Sequence, residues 1–88
     1  MSDRSVFFVS DGTGITAETL GNAIMAQFAV KARHVRRPFI DTVDKAYQLV
    51  REINTAADRE GKRPIIFTTF ANPEVLDIVR TCQGKVFD

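Results

Sequence analysis

The sequence is poor in the features that mark several large classes of protein. Its single cysteine, Cys82, cannot form an internal disulfide, which is typical of a chain in a reducing compartment. No apolar run approaches the ~20 residues needed to cross a bilayer, and the apolar run at residues 6–9 is too short for a signal peptide. With 12 Lys and Arg against 11 Asp and Glu, the net charge is only +1, so charge gives no reason to expect nucleic acid or membrane partners. These absences together predict a cytoplasmic protein.

The most informative stretch of the chain is residues 6–20. The apolar run Val-Phe-Phe-Val stops at a polar turn, Ser-Asp-Gly-Thr-Gly, and the turn opens into a pattern with helical spacing. This is how a buried parallel strand delivers a loop to the first turn of a helix. Ligands of open α/β sheets bind in such loops, so we expect any functional site here.

Three strand–helix pairs follow one another along the chain. Strands are predicted near residues 5–10, 34–40 and 64–70, and a fourth begins at residue 85; helices are predicted near 15–28, 43–60 and 73–83. We expect Asp41 or Thr42 to cap the second helix and Asn72 the third. The first helix is predicted to bury a stripe formed by Leu20, Ile24 and Phe28, with Ala17 and Ala23 beside it.

This alternation predicts one α/β domain, residues 1–88, with three layers in the order βαβαβα(β) and a mostly parallel sheet. Pro38 in the basic second strand indicates an edge position. We therefore predict the flavodoxin- or Rossmann-like strand order 2-1-3-4, with the topological switch point between strands one and three. Because the chain stops as a fourth strand begins, we expect it to be the N-terminal piece of a larger protein.

The first predicted loop is suited to an anion. Its glycines allow close approach to the backbone, its hydroxyls can donate hydrogen bonds, and the following helix N-terminus favours a phosphate. It is neither Gly-x-Gly-x-x-Gly nor a P-loop. The alternative is a tight turn in which Asp11 or Thr13 caps the helix and Glu18 is a solvated first-turn acid. The candidate phosphate- or substrate-binding residues are Ser10, Asp11, Gly12, Thr13, Gly14 and Thr16.

Two weaker candidate sites accompany this loop. Thr68, Thr69 and Asn72 lie at the end of the third strand, across the switch point, and can complete a polar pocket; the alternative is that one threonine points into the helix layer of the sheet and Asn72 only caps its helix. A basic cluster near the second strand, with Arg33, Arg36 and Arg37 as docking candidates for an acidic or phosphorylated partner, also contains Lys31 and His34. The alternative is that these charges only prevent edge-to-edge aggregation. His34 has no partner motif for a metal, and Cys82 is expected to be a buried apolar residue.

Residues 6–21, with Ser-Asp-Gly-Thr-Gly-Ile-Thr-Ala-Glu at their centre, resemble the N-terminus of the regulatory proteins of phosphoenolpyruvate synthetase and of pyruvate, phosphate dikinase. The segments Pro38-Phe39-Ile40-Asp41-Thr42 and 64–69 are also similar. The resemblance runs through the whole chain and covers about the first third of a family member.

The resemblance implies a bifunctional enzyme, a serine/threonine-protein kinase and pyrophosphorylase. Such enzymes use ADP to phosphorylate a threonine of the synthetase or dikinase, and they remove that phosphate with inorganic phosphate, releasing pyrophosphate. The family's P-loop lies beyond these 88 residues, so nothing here inherits the ADP-binding role. We expect no cofactor on this chain, ADP and Mg²⁺ in the full-length enzyme, and no phosphoryl transfer by this chain alone.

Two other functions are compatible with the residues. The chain is alternatively a non-catalytic docking or homodimerisation module of that protein, gripping its partner through the basic edge strand and the outer helix faces. It is alternatively a stand-alone phosphate-binding domain of flavodoxin type. The first loop lacks an aromatic residue that could stack on a flavin, which argues against the flavin-binding form.

Overall fold

The computed structural model of the protein describes residues 4–28 and 32–87. Strands and helices alternate along the chain, as predicted. In chain order they are β1 (Arg4–Ser10), α1 (Ile15–Phe28), β2 (Ala32–Arg37), α2 (Val43–Glu60), β3 (Ile65–Thr69), α3 (Pro73–Val79) and β4 (Lys85–Phe87). No helix in the described part of the chain is long and apolar enough to span a membrane.

The four strands form one parallel sheet in the order β2-β1-β3-β4, which confirms the predicted fold. Residues 6–9 of β1 are 0–2% exposed, because this strand lies between two neighbours and both of its faces are covered. Phe7 and Val9 pack with α2 and α3, whereas Val6 and Phe8 pack on the α1 side. The result is three layers with a core on each side of the sheet.

The ends of α2 and α3 show which residues cap them. Thr42, not Asp41, caps α2, and its Oγ1 accepts a hydrogen bond from the Lys45 N–H at 3.2 Å. Asn72 caps α3, as predicted, and its Oδ1 accepts from the Glu74 N–H at 3.0 Å. The predicted end of α3 at residue 83 is wrong. The helix ends at Val79, because the N–H groups of Thr81 and Cys82 bond carbonyls three residues back in a tighter turn.

The second strand is an edge strand, as predicted, but its predicted range of 34–40 is wrong. Proline 38 has no N–H to donate, so the ladder with β1 stops at Arg37. The next two N–H groups donate to a different partner: Phe39 bonds the Gly12 carbonyl and Ile40 bonds the Ser10 carbonyl, each at 2.8 Å. The chain is thereby drawn across the carboxyl end of β1.

The predicted buried stripe of α1 is also wrong. Leu20 is 53% exposed and Ile24 38% exposed, and the side chain of Phe28 lies outside the described part of the structure. Ala17, Gly21 and Met25 face the sheet instead. These three residues are four positions apart, as expected of one face of a helix. The face that is buried is the one with the small residues Ala17 and Gly21, and not the one with Leu20 and Ile24.

Gly21 explains why this face is the buried one. A Cβ atom added there would lie 2.8 Å from Cδ2 of Phe67 and closer still to the ring of Phe8. These two rings stack with centroids 5.9 Å apart and form the surface on which α1 rests. The helix therefore approaches the sheet through a residue with no side chain, and the large apolar residues of α1 stay outside.

We predict that Gly21→Ala destabilises the fold even though alanine favours a helix by about 1 kcal/mol over glycine. The added methyl group must displace two buried rings, and such overpacking costs roughly 1–3 kcal/mol. Urea denaturation followed by circular dichroism measures the balance. Asn22→Ala, at the exposed neighbouring position, is the matched control and should keep or slightly raise the stability. A stabilised Gly21→Ala protein would contradict the close approach of α1.

Candidate functional site

The candidate site lies at the switch point of the sheet. Ser10 and Thr69, the last residues of β1 and β3, are register partners, and the two strands lead into helices on opposite faces of the sheet. The loops that leave them line one depression of about 450 Å³. The two loops predicted from the sequence are therefore neighbours in space. The depression is lined by residues 10–16 and 69–71.

Ser10 fastens the first loop to the end of β3. Its side chain is buried, its Oγ donates to the Thr69 carbonyl at 3.0 Å, and the same Oγ accepts from the Gly12 N–H at 3.0 Å. Both roles of this hydroxyl are used inside the protein. Ser10 thus shapes the loop, and its geometry is that of a positioning residue.

Asp11 does not cap α1, which was one of the two caps, with Thr13, in the alternative interpretation of the sequence. Its Oδ2 accepts two hydrogen bonds from the opposite loop, from the N–H of Ala71 at 2.8 Å and of Asn72 at 3.0 Å. The carboxylate therefore joins the loop after β1 to the loop after β3. Its Oδ1 has no hydrogen-bond partner among residues 4–28 and 32–87, so one oxygen stays available at the edge of the depression.

The two glycines of the first loop differ. Gly14 has φ +82°, in the left-handed region that favours glycine. Gly12 lies outside that region, and an added Cβ would meet only the Ser10 hydroxyl at 3.8 Å. Gly14 also begins α1, since its carbonyl accepts from the Glu18 N–H at 3.0 Å. Thr13 and Thr16, the remaining candidates of this loop, are both exposed.

Sequence reasoning missed the contribution of the loop between β2 and α2. Its N–H groups bond the Ser10 and Gly12 carbonyls, so three loops meet at this end of the sheet. Phe39 holds φ 60°, although it is a bulky residue that disfavours this conformation, and its side chain is 54% exposed. The hydrogen bonds from the N–H groups of Phe39 and Ile40 hold the backbone in this strained conformation. The only sequence signal was the preceding proline.

Arg36, proposed from the sequence as a docking residue, belongs to the border of the first loop. Its Nη2 donates to the Thr13 carbonyl at 3.0 Å, and its Nε lies 3.3 Å from Oε2 of Glu18. Glu18 lies in the first turn of α1, as in the alternative interpretation, and its side chain is 40% exposed while it pairs with Arg36. A guanidinium stands beside the N-terminus of α1 as a result.

The three candidate residues of the second loop occupy different positions in the structure. Thr69 lines the depression, whereas Thr68 points to the far side of β3 and donates to the Phe87 carbonyl at 3.0 Å. Asn72 serves as the cap of α3 and as an N–H donor to Asp11. Of the three predicted residues, one thus lines the depression directly and one supports it through the backbone.

The other basic candidates lie away from this loop. Arg33 sits 3.8 Å from the Glu60 carboxylate and Arg37 pairs with Glu52, both on the α2 side of the sheet. The hydrogen bonds that Arg37 donates to the Glu52 carboxylate raise the pKa of Arg37 above its usual value. His34 packs edge-on against Phe8, with ring centroids 5.3 Å apart. Lys31 lies outside the described residues.

Cys82 is buried, as predicted, and burial raises the pKa of its thiol. The described residues hold no group of three or more His, Cys, Asp or Glu side chains placed to share a metal ion. The chemistry of the switch point is therefore that of backbone N–H groups, threonine hydroxyls, one guanidinium and one carboxylate. Such a set can bind and orient a phosphate group.

A parallel sheet with helices on both faces and polar loops at its switch point defines a protein of the doubly wound α/β class. The model of the kinase/pyrophosphorylase family matches residues 6–88 of this sequence. The chain therefore belongs to the kinase/pyrophosphorylase family.

Bacterial relatives agree with this family. A protein of Methylibium petroleiphilum is 67% identical over 88 residues, which are the whole of this chain and 32% of that protein. A protein of Polaromonas sp. strain JS666 is 65% identical over 89 residues, 100% of this chain and 33% of that protein. Both carry the provisional name phosphoenolpyruvate synthase regulatory protein. The chain spans about a third of the length of these curated relatives.

We predict that Gly14→Ala lowers the free energy of unfolding by about 1–2 kcal/mol, the cost of holding an L-residue in the left-handed region. Gly12→Ala is the matched control and should change stability by less than about 0.5 kcal/mol, since its backbone is ordinary and its surroundings are open. Guanidinium denaturation of both variants checks the difference. Equal losses would show that the loop conformation described for Gly14 is wrong.

Proposed function

We propose that this chain provides the phosphate-binding part of a kinase/pyrophosphorylase that regulates phosphoenolpyruvate synthase or pyruvate, phosphate dikinase. In the forward reaction the β-phosphoryl group of ADP is transferred to a threonine hydroxyl of the target, leaving AMP. In the reverse reaction inorganic phosphate takes the phosphoryl group from the phosphothreonine, giving pyrophosphate and free threonine. The anion held by the depression is phosphate, pyrophosphate or the target phosphothreonine.

The observation that carries this proposal is the uncapped start of α1. Both α2 and α3 begin at a residue whose side chain accepts an N–H of the first turn, Thr42 and Asn72. In α1 the corresponding residue is Gly14, which has no side chain to do so. The first N–H groups of a helix have no acceptor within the helix, and here they open on the depression. A phosphate oxygen supplies the missing acceptor.

Two side chains complete the proposed anion site. The Arg36 guanidinium, already bonded to the Thr13 carbonyl and ion-paired with Glu18, adds a charged N–H donor at the rim. Asp11 lines the same depression, but its Oδ2 is occupied by two N–H groups, which reduces its repulsion of an anion. The remaining oxygen, Oδ1, is placed to accept the proton of a threonine hydroxyl.

The chain holds only part of what phosphoryl transfer needs. Catalysis of this reaction depends on positioning and on neutralising phosphate charge, usually with P-loop amides, a lysine and Mg²⁺. The printed sequence has no Gly-x-x-x-x-Gly-Lys-Ser/Thr motif, and the described residues offer no acidic cluster for a metal. The residues present therefore do not fit ADP and Mg²⁺, and we assign to this chain only the phosphate on the target side.

An NMR titration of the 88-residue chain tests the anion site. Phosphate, pyrophosphate and a phosphothreonine peptide are added in turn while backbone amide shifts are followed. We expect saturable shifts of the amides of residues 12–17, because these N–H groups meet the anion. Shifts confined to other residues, or none at saturating phosphate, would contradict the proposed site.

A pair of neighbouring arginines provides the matched control for this titration. Arg36→Gln should weaken binding about three- to tenfold, since an exposed charge contact is worth roughly 1 kcal/mol. Arg37→Gln removes the same charge one residue away, on the Glu52 side of β2, and should leave the affinity unchanged. Equal effects would assign the binding to net charge alone.

We also predict that the 88-residue chain does not transfer phosphate by itself. The assay contains ADP labelled in the β-phosphate and a dikinase that carries a phosphohistidine. Threonine labelling should stay at the level measured without enzyme, because the P-loop chemistry is missing. The full-length Polaromonas relative in the same assay tests the proposed family activity. Threonine labelling by the 88-residue chain would overturn the assignment of only a binding role to it.

A further inference from the structure

A second groove lies outside the candidate site, between the edge strand β2 and helix α2. It has a volume of about 650 Å³, and five arginines and one glutamate line it. The whole chain carries a net charge of only +1. Five of the 12 Lys and Arg residues of the chain therefore line this one groove. Its arginines are Arg33, Arg36, Arg37, Arg51 and Arg59.

The strand arginines of the groove are already neutralised. Arg36 pairs with Glu18, Arg37 with Glu52, and Arg33 lies within 3.8 Å of Glu60. Prevention of strand-edge aggregation accounts for charges placed in this way. The basic strand by itself therefore gives no reason to expect a partner.

The two helix arginines are different. Arg51 and Arg59 are exposed and have no ion pair or side-chain hydrogen bond among residues 4–28 and 32–87. With Thr55 they form one line along α2, four residues apart, facing the groove. At a rise of 1.5 Å per residue, the Cα atoms of Arg51 and Arg59 lie about 12 Å apart along the helix axis. Protection of an edge strand does not explain charges on a helix.

The other wall of the groove offers backbone hydrogen bonds. In the described sheet β2 pairs only with β1, so its outer N–H and C=O groups are unpaired. An extended peptide can add to such an edge, with main-chain bonds giving affinity and alternate side chains giving specificity. Acidic side chains four residues apart in a strand are about 13 Å apart and match the separation of Arg51 and Arg59.

We propose that this groove binds an acidic, extended segment of a partner protein, which adds to the β2 edge and places its carboxylates against Arg51 and Arg59. Charge complementarity commits the groove to this occupant. A second copy of the chain would bring its own arginines to the same edge and be repelled. The proposal does not use the anion site: its cations are Arg51 and Arg59 of α2, and the groove shares with the first site only Arg36 at its border and none of the N–H groups of the first loop.

A capped heptapeptide that alternates threonine with glutamate is the probe. Added to the 88-residue chain at low salt, it should shift the backbone amides of β2 and bind more weakly as salt rises. The same peptide with glutamine in place of glutamate should bind at least tenfold more weakly. Equal binding of the two peptides, or shifts confined to residues 12–17, would overturn the proposal.

Charge reversal on the helix separates a specific contact from general attraction. The double variant Arg51→Glu with Arg59→Glu should reduce the affinity for the acidic peptide at least tenfold. The matched control, Lys62→Glu with Lys85→Glu, makes the same change in net charge away from the groove and should stay within about twofold of the unaltered chain. Equal losses in both would overturn the proposal.

Two further measurements keep the result interpretable. Both positions are exposed, so the fold should survive, and circular dichroism of each variant checks this. Should the double reversal unfold, Arg51→Gln with Arg59→Gln replaces it, with an expected loss of about threefold. Sedimentation of the free chain must show a monomer at the titration concentration. A dimer that the acidic peptide does not dissociate would assign the β2 edge to self-association and overturn the proposal.

Discussion

The architecture of the candidate site depends on the carboxylate of Asp11. Each crossover of a parallel sheet sends its loop to the same edge, but nothing in the strand ladder fixes those loops to one another. The two hydrogen bonds from Ala71 and Asn72 to Oδ2 supply that connection. Ser10 adds a second link through its bond to the Thr69 carbonyl. The side chains of Ser10, at the end of β1, and of Asp11, in the loop after it, join the end of β1 to the end of β3. These bonds maintain the shape of the depression.

Much of the fold could be predicted from the sequence because local signals agreed. The apolar run of β1, the capping sequence before α3 and the helical stripe of α2 each indicate one structure, and the strand order followed from the burial of β1 and the polarity of β2. The face of α1 could not be predicted in this way. It is decided by the rings of Phe8 and Phe67, which leave room only for Gly21. Hydrophobic periodicity indicates which residues would be stabilised by burial. It carries no information about the shape of the surface against which the helix packs.

The site shows the same division between local and distant information. The sequence located the two loops, because each follows an apolar strand and precedes a helix. It could not assign the individual side chains, since Thr68 and Thr69 differ only in the face of β3 to which they point. Nor could it pair the arginines, whose acidic partners lie on α1 and α2, distant in sequence. Consequently the absence of an ion pair at Arg51 and Arg59 is seen only once the contacts of the described residues are known.

The strand order also has a consequence for how the chain acquires its structure. Of the four described strands, β1 is synthesised first and lies between two neighbours that come from later segments: Val6 is the register partner of His34 on one side and of Ile65 on the other. Half of the ladder of β1 must therefore wait for the final third of the chain to be synthesised. Contacts of such long sequence separation slow folding, because the loop must close before they contribute. The strand with the longest apolar run is thus the one whose pairing is completed late, which makes its protection during synthesis a requirement of this topology.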